Sequence, residues 1–473
     1  MKNSRSFIGN IVLLFIGCIA GILLLYMNLN ISWIVFINIF IVILIIFAIV
    51  KEKEIFLLRM LVFMIPYRVG FLYSSLLSMD LIFAIDSIIV LMYIYWFYKM
   101  MKGRGVRLYI GKSSNPVFFL LVWSMFAIVP SVSKLSSIYG VFLLAKAILL
   151  YFYIINNVTT KKKLIVIVNV LIIIFAVQAT IGVLQKINKH SIGLYFFGER
   201  KMSFDEDLDR IRGTLGFPNM YGTFLAFLFP MVISMIIYTR NKLKRALYLI
   251  FATIGIAALY LSLSRQSWLG FSFSILVMVF LLIRRTKLDL SKITPVLIVI
   301  LLIICFGAIF WDKIMLRLNT GGQGEYRLLM INIALQILQS HPILGVGLFN
   351  YQFHSFSIFS FWQPVHNTYL RLACETGLPG LFFYLWFLLL LFKDLLTAFK
   401  FNDKLLSFVA LGLIGGFTAF CVITFFGPQY QHYRHKVLFW LLAGLAISLK
   451  RIYRREIIMN RRAKFLNNSS KAL

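Results

Sequence analysis

Apolar runs of about twenty residues, the length needed to cross a bilayer core of about 30 Å, recur from one end of this chain to the other. Charged residues make up only 14% of the 473 positions, too few to coat that much apolar surface for water. Candidate spans lie at 7–27, 32–50, 55–75, 79–98, 116–132, 137–157, 163–184, 217–238, 245–262, 267–283, 293–311, 379–399, 405–426 and 435–449. Arg59, Pro66 and Arg68 interrupt the third, and the last is short. The pattern therefore predicts an all-α polytopic membrane protein of about 12–14 helices. The run at 7–27 is long, lacks a small-residue cleavage site and is followed at once by another run, so it reads as a retained helix.

The formal net charge is +32, which in a soluble protein would point to nucleic acid. No nucleic-acid module is visible, and the basic residues fall in alternate loops. With the N-terminus inside, the inner loops include "KEKE", "YKMMKGRGVRLYIGK", "TTKKK", "RNKLKR", "RRTK", "KFNDK" and the tail "KRIYRREIIMNRRAK". Cytoplasmic loops collect Lys and Arg, so this orientation, with both termini cytoplasmic, is the expected one.

Two long segments then face out, 185–216 and 312–378, and with them all six histidines: His190, His341, His354, His366, His432 and His435. The stretch 325–340 carries apolar residues at helical spacing, and Pro342 lies just past its end. Gly345 and Gly347 permit a tight path. "HNTYLRLACETG" then predicts a second short helix after Pro364, with Arg371 and Glu375 on one face and Gly377 as its cap. Pro379 suits the first turn of the following span. The second outer segment is thus expected to be a large helical loop.

Of four cysteines, Cys18, Cys305 and Cys421 fall in apolar runs and Cys374 in a polar segment, without disulfide or zinc spacing. The few carboxylates offer no obvious divalent-metal cage. The "DEDLD" cluster at 205–209 reads as a solvated or arginine-paired loop. Asp86 and Lys146, at comparable depth within two spans, read as a buried pair. No internal repeat is evident, which counts against transporters built from two related halves.

Chemistry on the outer side has to come from a small set of residues. Arg210 and Arg212 precede the eighth span, Arg265 sits in the tight turn "SLSRQSWLG", and Arg327 opens the loop helix. Guanidinium forks match phosphate oxygens and keep their charge. Any one of these arginines also suits a headgroup anchor; a tight turn between two spans favours a functional reading for Arg265. His366 can accept a proton near neutral pH, or simply bond backbone at a helix start. His432 and His435, in "GPQYQHYRHK", are explained by interfacial packing.

Four motifs in order, "RGTLGFPN", "SRQSWLG", "EYRLLMINIALQILQSHPILGVGLFNY" and "HNTYLRLACETGLPG", resemble the O-antigen ligase / O-antigen polymerase (Wzy) superfamily of bacteria. The resemblance is close over 205–400, which we take as the core region, between N-terminal spans at 1–204 and C-terminal spans with a basic tail at 401–473. It implies a glycosyltransferase of the bacterial cytoplasmic membrane, moving glycan from an undecaprenyl-diphosphate donor to a glycan or lipid-linked acceptor without metal or other cofactor. The family's essential arginines fall on Arg212 and Arg265 and its loop histidine on His366. Arg327 matches the arginine that starts the loop helix, and Arg210, Asn367 and Arg371 join as candidate substrate contacts. "SRQSW" departs from the small residues that many members carry after the arginine. The implied partners are the lipid-linked donor, membrane lipid and other polysaccharide-assembly proteins, with no nucleic acid. Polymerisation of a repeat unit is the preferred reading, ligase-type transfer to a lipid, protein or wall acceptor the alternative, and a lipid-linked oligosaccharide flippase the rival of another class. The unlike halves and the long outer segment speak against the flippase.

Overall fold

The computed structural model describes residues 41–68, 71–74, 79–103, 108–200, 210–286, 301, 308, 324–359 and 365–469. The expected spans at 7–27 and 293–311, most of 32–50, the acidic cluster at 205–209, Pro364 and the first part of the 312–378 loop lie outside the described residues, save positions 301 and 308. The elements run α1 (Lys53–Met64), β1 (Phe71–Ser74), β2 (Met79–Ile82), α2 (Phe83–Met101), α3 (Asn115–Phe126), α4 (Lys134–Asn157), α5 (Lys161–Asn188), α6 (Pro218–Tyr238), α7 (Lys242–Leu261), α8 (Arg265–Thr286), α9 (Gly324–Ser340), α10 (Tyr351–Phe359), α11 (Thr368–Phe399), α12 (Lys404–Phe426) and α13 (Tyr433–Ser469). Among the described residues, eight helices are long and apolar enough to cross a membrane: α2, α4, α5, α6, α7, α8, α11 and α12. The protein is an all-α polytopic membrane protein, with one short antiparallel pair of strands, Phe71 opposite Ile82.

Local sequence starts these helices in a consistent way. Ser133, Thr160, Asn241, Asn367 and Asp403 each accept a backbone N–H of the first turn through the side chain, filling donors that a helix start leaves empty. The expected third span is corrected: α1 ends at Met64, just before Pro66, and the chain then enters strand pairing. Proline lacks the N–H a continuing helix needs and disfavours helical geometry in the residue before it.

α6 is the central helix, buried along its length, with α12, α8, α7 and α5 around it. Its contact with α12 is close enough that a Cβ on Gly416 would meet the Phe227 carbonyl at 2.6 Å. Small residues at such contacts let helices approach where lipid supplies no hydrophobic drive. Asp86 and Lys146 pair at 2.6 Å, as expected, and the Tyr433 hydroxyl donates to the same carboxylate.

The basic loops meet at one end of the bundle. Glu54 pairs with Lys99 and Lys163, Glu52 with Lys162, Asp403 and Glu456 with Lys161, and Asp394 with Lys450. At the other end α9 and the first limb of α11 build a second, smaller core. Met330, Ile333, Ala334 and Ile337, spaced as one face of a helix, pack with Val346, Tyr351, Val365 and Cys374.

Candidate active site

The site is assembled from three connections between spans at this second end. The first is the segment ahead of α6. The buried Gln185 carboxamide oxygen accepts from the N–H groups of Arg212 (3.2 Å) and Gly213 (2.9 Å), fixing the backbone there. Arg210 is committed locally, donating to the Ser262 carbonyl at 3.0 Å and to Asn219 at 2.8 Å. The Arg212 side chain has no hydrogen-bond partner among the described residues, and its Nε is buried.

The second is the turn between α7 and α8. Leu263 takes a left-handed conformation (φ 48°), and Arg265 is the first residue of α8. Side chains on either side of Arg265 hold this turn. The Ser267 and Ser264 hydroxyls bond at 2.8 Å, and the Trp268 indole donates to the Leu259 carbonyl at 2.8 Å, closing the end of α7. Ile211 N–H donates to the Leu261 carbonyl, so the Arg210–Arg212 segment and the end of α7 that leads into the Arg265 turn lie side by side.

The third is the outer loop. Asn367 caps α11, its side chain accepting from Leu370 N–H at 2.9 Å. Thr368 donates to the Gly427 carbonyl at 2.9 Å, and Gly427 lies against the Gln266 side chain, next to Arg265. This seats His366 beside the α7–α8 turn. Arg327, in the first turn of α9, stands within electrostatic range of both Arg265 and His366. Burial, and then the Arg327 charge, hold His366 below the usual histidine range. Burial, and then Arg265, pull Arg327 down as well, though a guanidinium stays a cation at neutral pH.

Among the described residues no carboxylate pairs with Arg265, Arg327 or His366. The structure thus brings these three together, with Arg210 and Arg212 alongside the turn. It takes Arg371 elsewhere: Arg371 turns inward and binds Glu375 at 2.8 Å, both buried.

A group that sequence reasoning set aside supports the site from below. Arg434 donates to the carbonyls of Pro66 (2.9 Å), Thr214 (3.0 Å) and Leu215 (2.8 Å), stapling the turn that follows Arg212. His435 Nε2 lies 3.0 Å from the Met220 carbonyl, and Lys436 sits over the rings of Phe349 and Tyr430. Burial, and then Arg434, Arg371 and Lys436, hold His432 down to about 4, so it is neutral. The available signal was a run of basic residues, "HYRHK", at the mouth of an apolar stretch.

Fold and site together define a polytopic α-helical membrane protein with a cluster of cationic side chains, unpaired among the described residues, at its interhelical loops. Residues 250–385 match the family model described as O-antigen ligase, a match that supports membership of the O-antigen ligase/polymerase superfamily. The matched segment contains Arg265, Arg327 and His366 and begins after Arg212. A comparison with curated proteins finds no match.

Proposed function

We propose that this protein transfers a glycan from undecaprenyl diphosphate to an acceptor hydroxyl on the outer face of the bacterial cytoplasmic membrane, extending a cell-surface polysaccharide. The observation that carries this reading is the pair of neighbouring cations Arg265 and Arg327, with His366 beside Arg327 and no anionic partner for any of the three among the described residues. A lipid-linked diphosphate supplies the missing negative charge. Arg212, with its unpartnered guanidinium, extends the pocket along the α7–α8 turn.

In this mechanism Arg265, Arg327 and Arg212 hold the diphosphate and stabilise the charge that builds on it as it leaves. His366, kept neutral by burial and Arg327, takes the proton from the acceptor hydroxyl. The hydroxyl oxygen bonds to the anomeric carbon as the bond to the diphosphate oxygen breaks, with inversion there. Proton abstraction contributes about 10²–10⁴-fold in rate, so positioning and charge stabilisation carry the remainder. Asn367 and Arg371 serve the site by holding the start of α11 in place. The matched family's description favours a second reading, ligase-type transfer to a different acceptor.

The test uses purified protein in nanodiscs with lipid-linked glycan, products separated by length. His366→Ala and His366→Gln should form no new glycosidic bond while donor binding persists. A normal product ladder from His366→Ala overturns the proton-acceptor role. Product on a non-lipid-linked acceptor alone selects the ligase reading, and donor crossing the bilayer with no new bond selects a flippase.

A further inference from the structure

Two histidines lie outside this site and are used by none of its chemistry. His341 follows the last residue of α9, and His354 sits in α10. Their rings meet edge to face with centroids 5.3 Å apart. His341 Nδ1 and His354 Nε2 are each buried, and neither has a hydrogen-bond partner among the described residues. A buried ring nitrogen with nothing to bond is costly, and two of them in adjacent rings call for a common occupant.

We propose that His341 and His354 form a two-histidine site for a divalent transition-metal ion of the imidazole-binding kind, Zn²⁺, Ni²⁺ or Cu²⁺, which clasps the end of α9 to α10. Imidazole is a preferred ligand for these ions, and water completes the coordination. The place suits a cation in a second way. α9 is 17 residues long, and the carbonyls of its last turn carry the negative end of the helix dipole beside His341. The cationic pocket is remote: Arg327 lies 14 positions before His341, about 21 Å at 1.5 Å per helical residue. At that distance its charge is largely screened. The clasp is structural, and the glycosyl transfer itself is routed through no metal.

The experiment uses the full chain in nanodiscs, free of affinity tag and stripped with chelator. Cu²⁺ is added and read by electron paramagnetic resonance, and Zn²⁺ and Ni²⁺ binding is measured by calorimetry. One ion per chain is expected, with splitting from two imidazole nitrogens and at least a tenfold weaker affinity in His341→Gln and in His354→Gln. His190→Gln, on the other outer segment, should bind like wild type. A wild-type copper spectrum with fewer than two nitrogens overturns the site whether or not the variants fold, and so does undiminished, wild-type affinity in either glutamine variant.

Discussion

Gly377 is where the outer loop is most exposed to a single methyl group. It breaks α11 with φ 71° and ψ 176°, a region essentially reserved for glycine. A Cβ there would sit 1.8 Å from the Ile343 carbonyl oxygen and 3.0 Å from that of Pro342. Both are backbone atoms and cannot rotate away. Moving them strains Leu378 N–H to Pro342 (2.8 Å), Val346 N–H to Cys374 (2.9 Å) and Gly347 N–H to Glu375 (2.9 Å). Gly377→Ala should therefore cost about 1–3 kcal/mol of backbone strain plus about 0.5–1.5 kcal/mol for each hydrogen bond given up. Gly103 is the control: its φ is 64°, but a Cβ there meets nothing within 4 Å, so Gly103→Ala costs about 1–2 kcal/mol. The assay is the unfolding midpoint of each variant in nanodiscs, alongside protease sensitivity of the 324–378 segment and glycan transfer. Gly377→Ala should be the less stable and should lose transfer, because this corner sets α9, with Arg327, against the start of α11. Equal stability and transfer in the two variants would refute the packing argument.

Arg327→Gln removes a like charge from beside His366, so His366 should stay protonated to higher pH and the acidic limb of the kcat/KM profile should move up; an unmoved limb separates the two residues. Arg265→Ala should leave the ligand-free protein at least as stable as wild type while abolishing the rise in unfolding midpoint on adding undecaprenyl diphosphate, and Arg265→Lys, without the planar fork, should restore little of it. A loss of apo stability in Arg265→Ala would show a structural cation instead. An impermeant thiol reagent should label single cysteines placed near His190 and His354 in intact cells and at 284–292 only after permeabilisation. Labelling of 284–292 in intact cells reverses the orientation.

Hydropathy made the long helices legible because an apolar run long enough to span leaves few alternatives. α4, α5, α6, α7, α8 and α12 begin and end within a few residues of the expected spans. The same signal failed at 55–75. Apolar content does not distinguish a short helix followed by strands "FLYS" and "MDLI" from one interrupted span, and only Pro66 marked the break. The loop helix with Arg327 was readable from its spacing, whereas α10, nine residues long, was not. The i,i+4 geometry of Arg371 and Glu375 was also readable, but not which way the pair faces. That depends on α13, whose Lys436 lies in the charge environment of Glu375 and Arg371 from some sixty positions away. Arg434 was invisible for the same reason: its acceptors at Pro66 and Thr214 are 368 and 220 positions distant. Sequence periodicity reports which residues share a face. It cannot report which remote carbonyl that face will meet.

The two ends of the bundle treat charge in opposite ways, and this supports placing the proposed site at the second end. Where the basic loops meet, Glu52, Glu54, Asp394, Asp403 and Glu456 each have a lysine. These pairs join α1 to α2 and α5, α5 to the start of α12 and the second half of α13, and α11 to α13. Isolated surface pairs contribute little, but a network holds helix ends in register. At the other end Arg265 and Arg327 repel one another, and Arg327 disfavours charge on His366, with no carboxylate among the described residues to offset them. Partly buried like charges destabilise a fold, and folding alone gives no reason to gather them. The neighbours also show that the gathering is organised. Gln185 fixes the Arg212 backbone, Arg434 staples the turn after it, Trp268 closes the helix before Arg265, and the Thr368–Gly427 contact brings His366 to the same turn. Those supporting groups are each hydrogen-bonded, whereas Arg265 and Arg327 have no ion-pair partner among the described residues. Such an arrangement fits a ligand that carries two negative charges and leaves once it has given up its glycan.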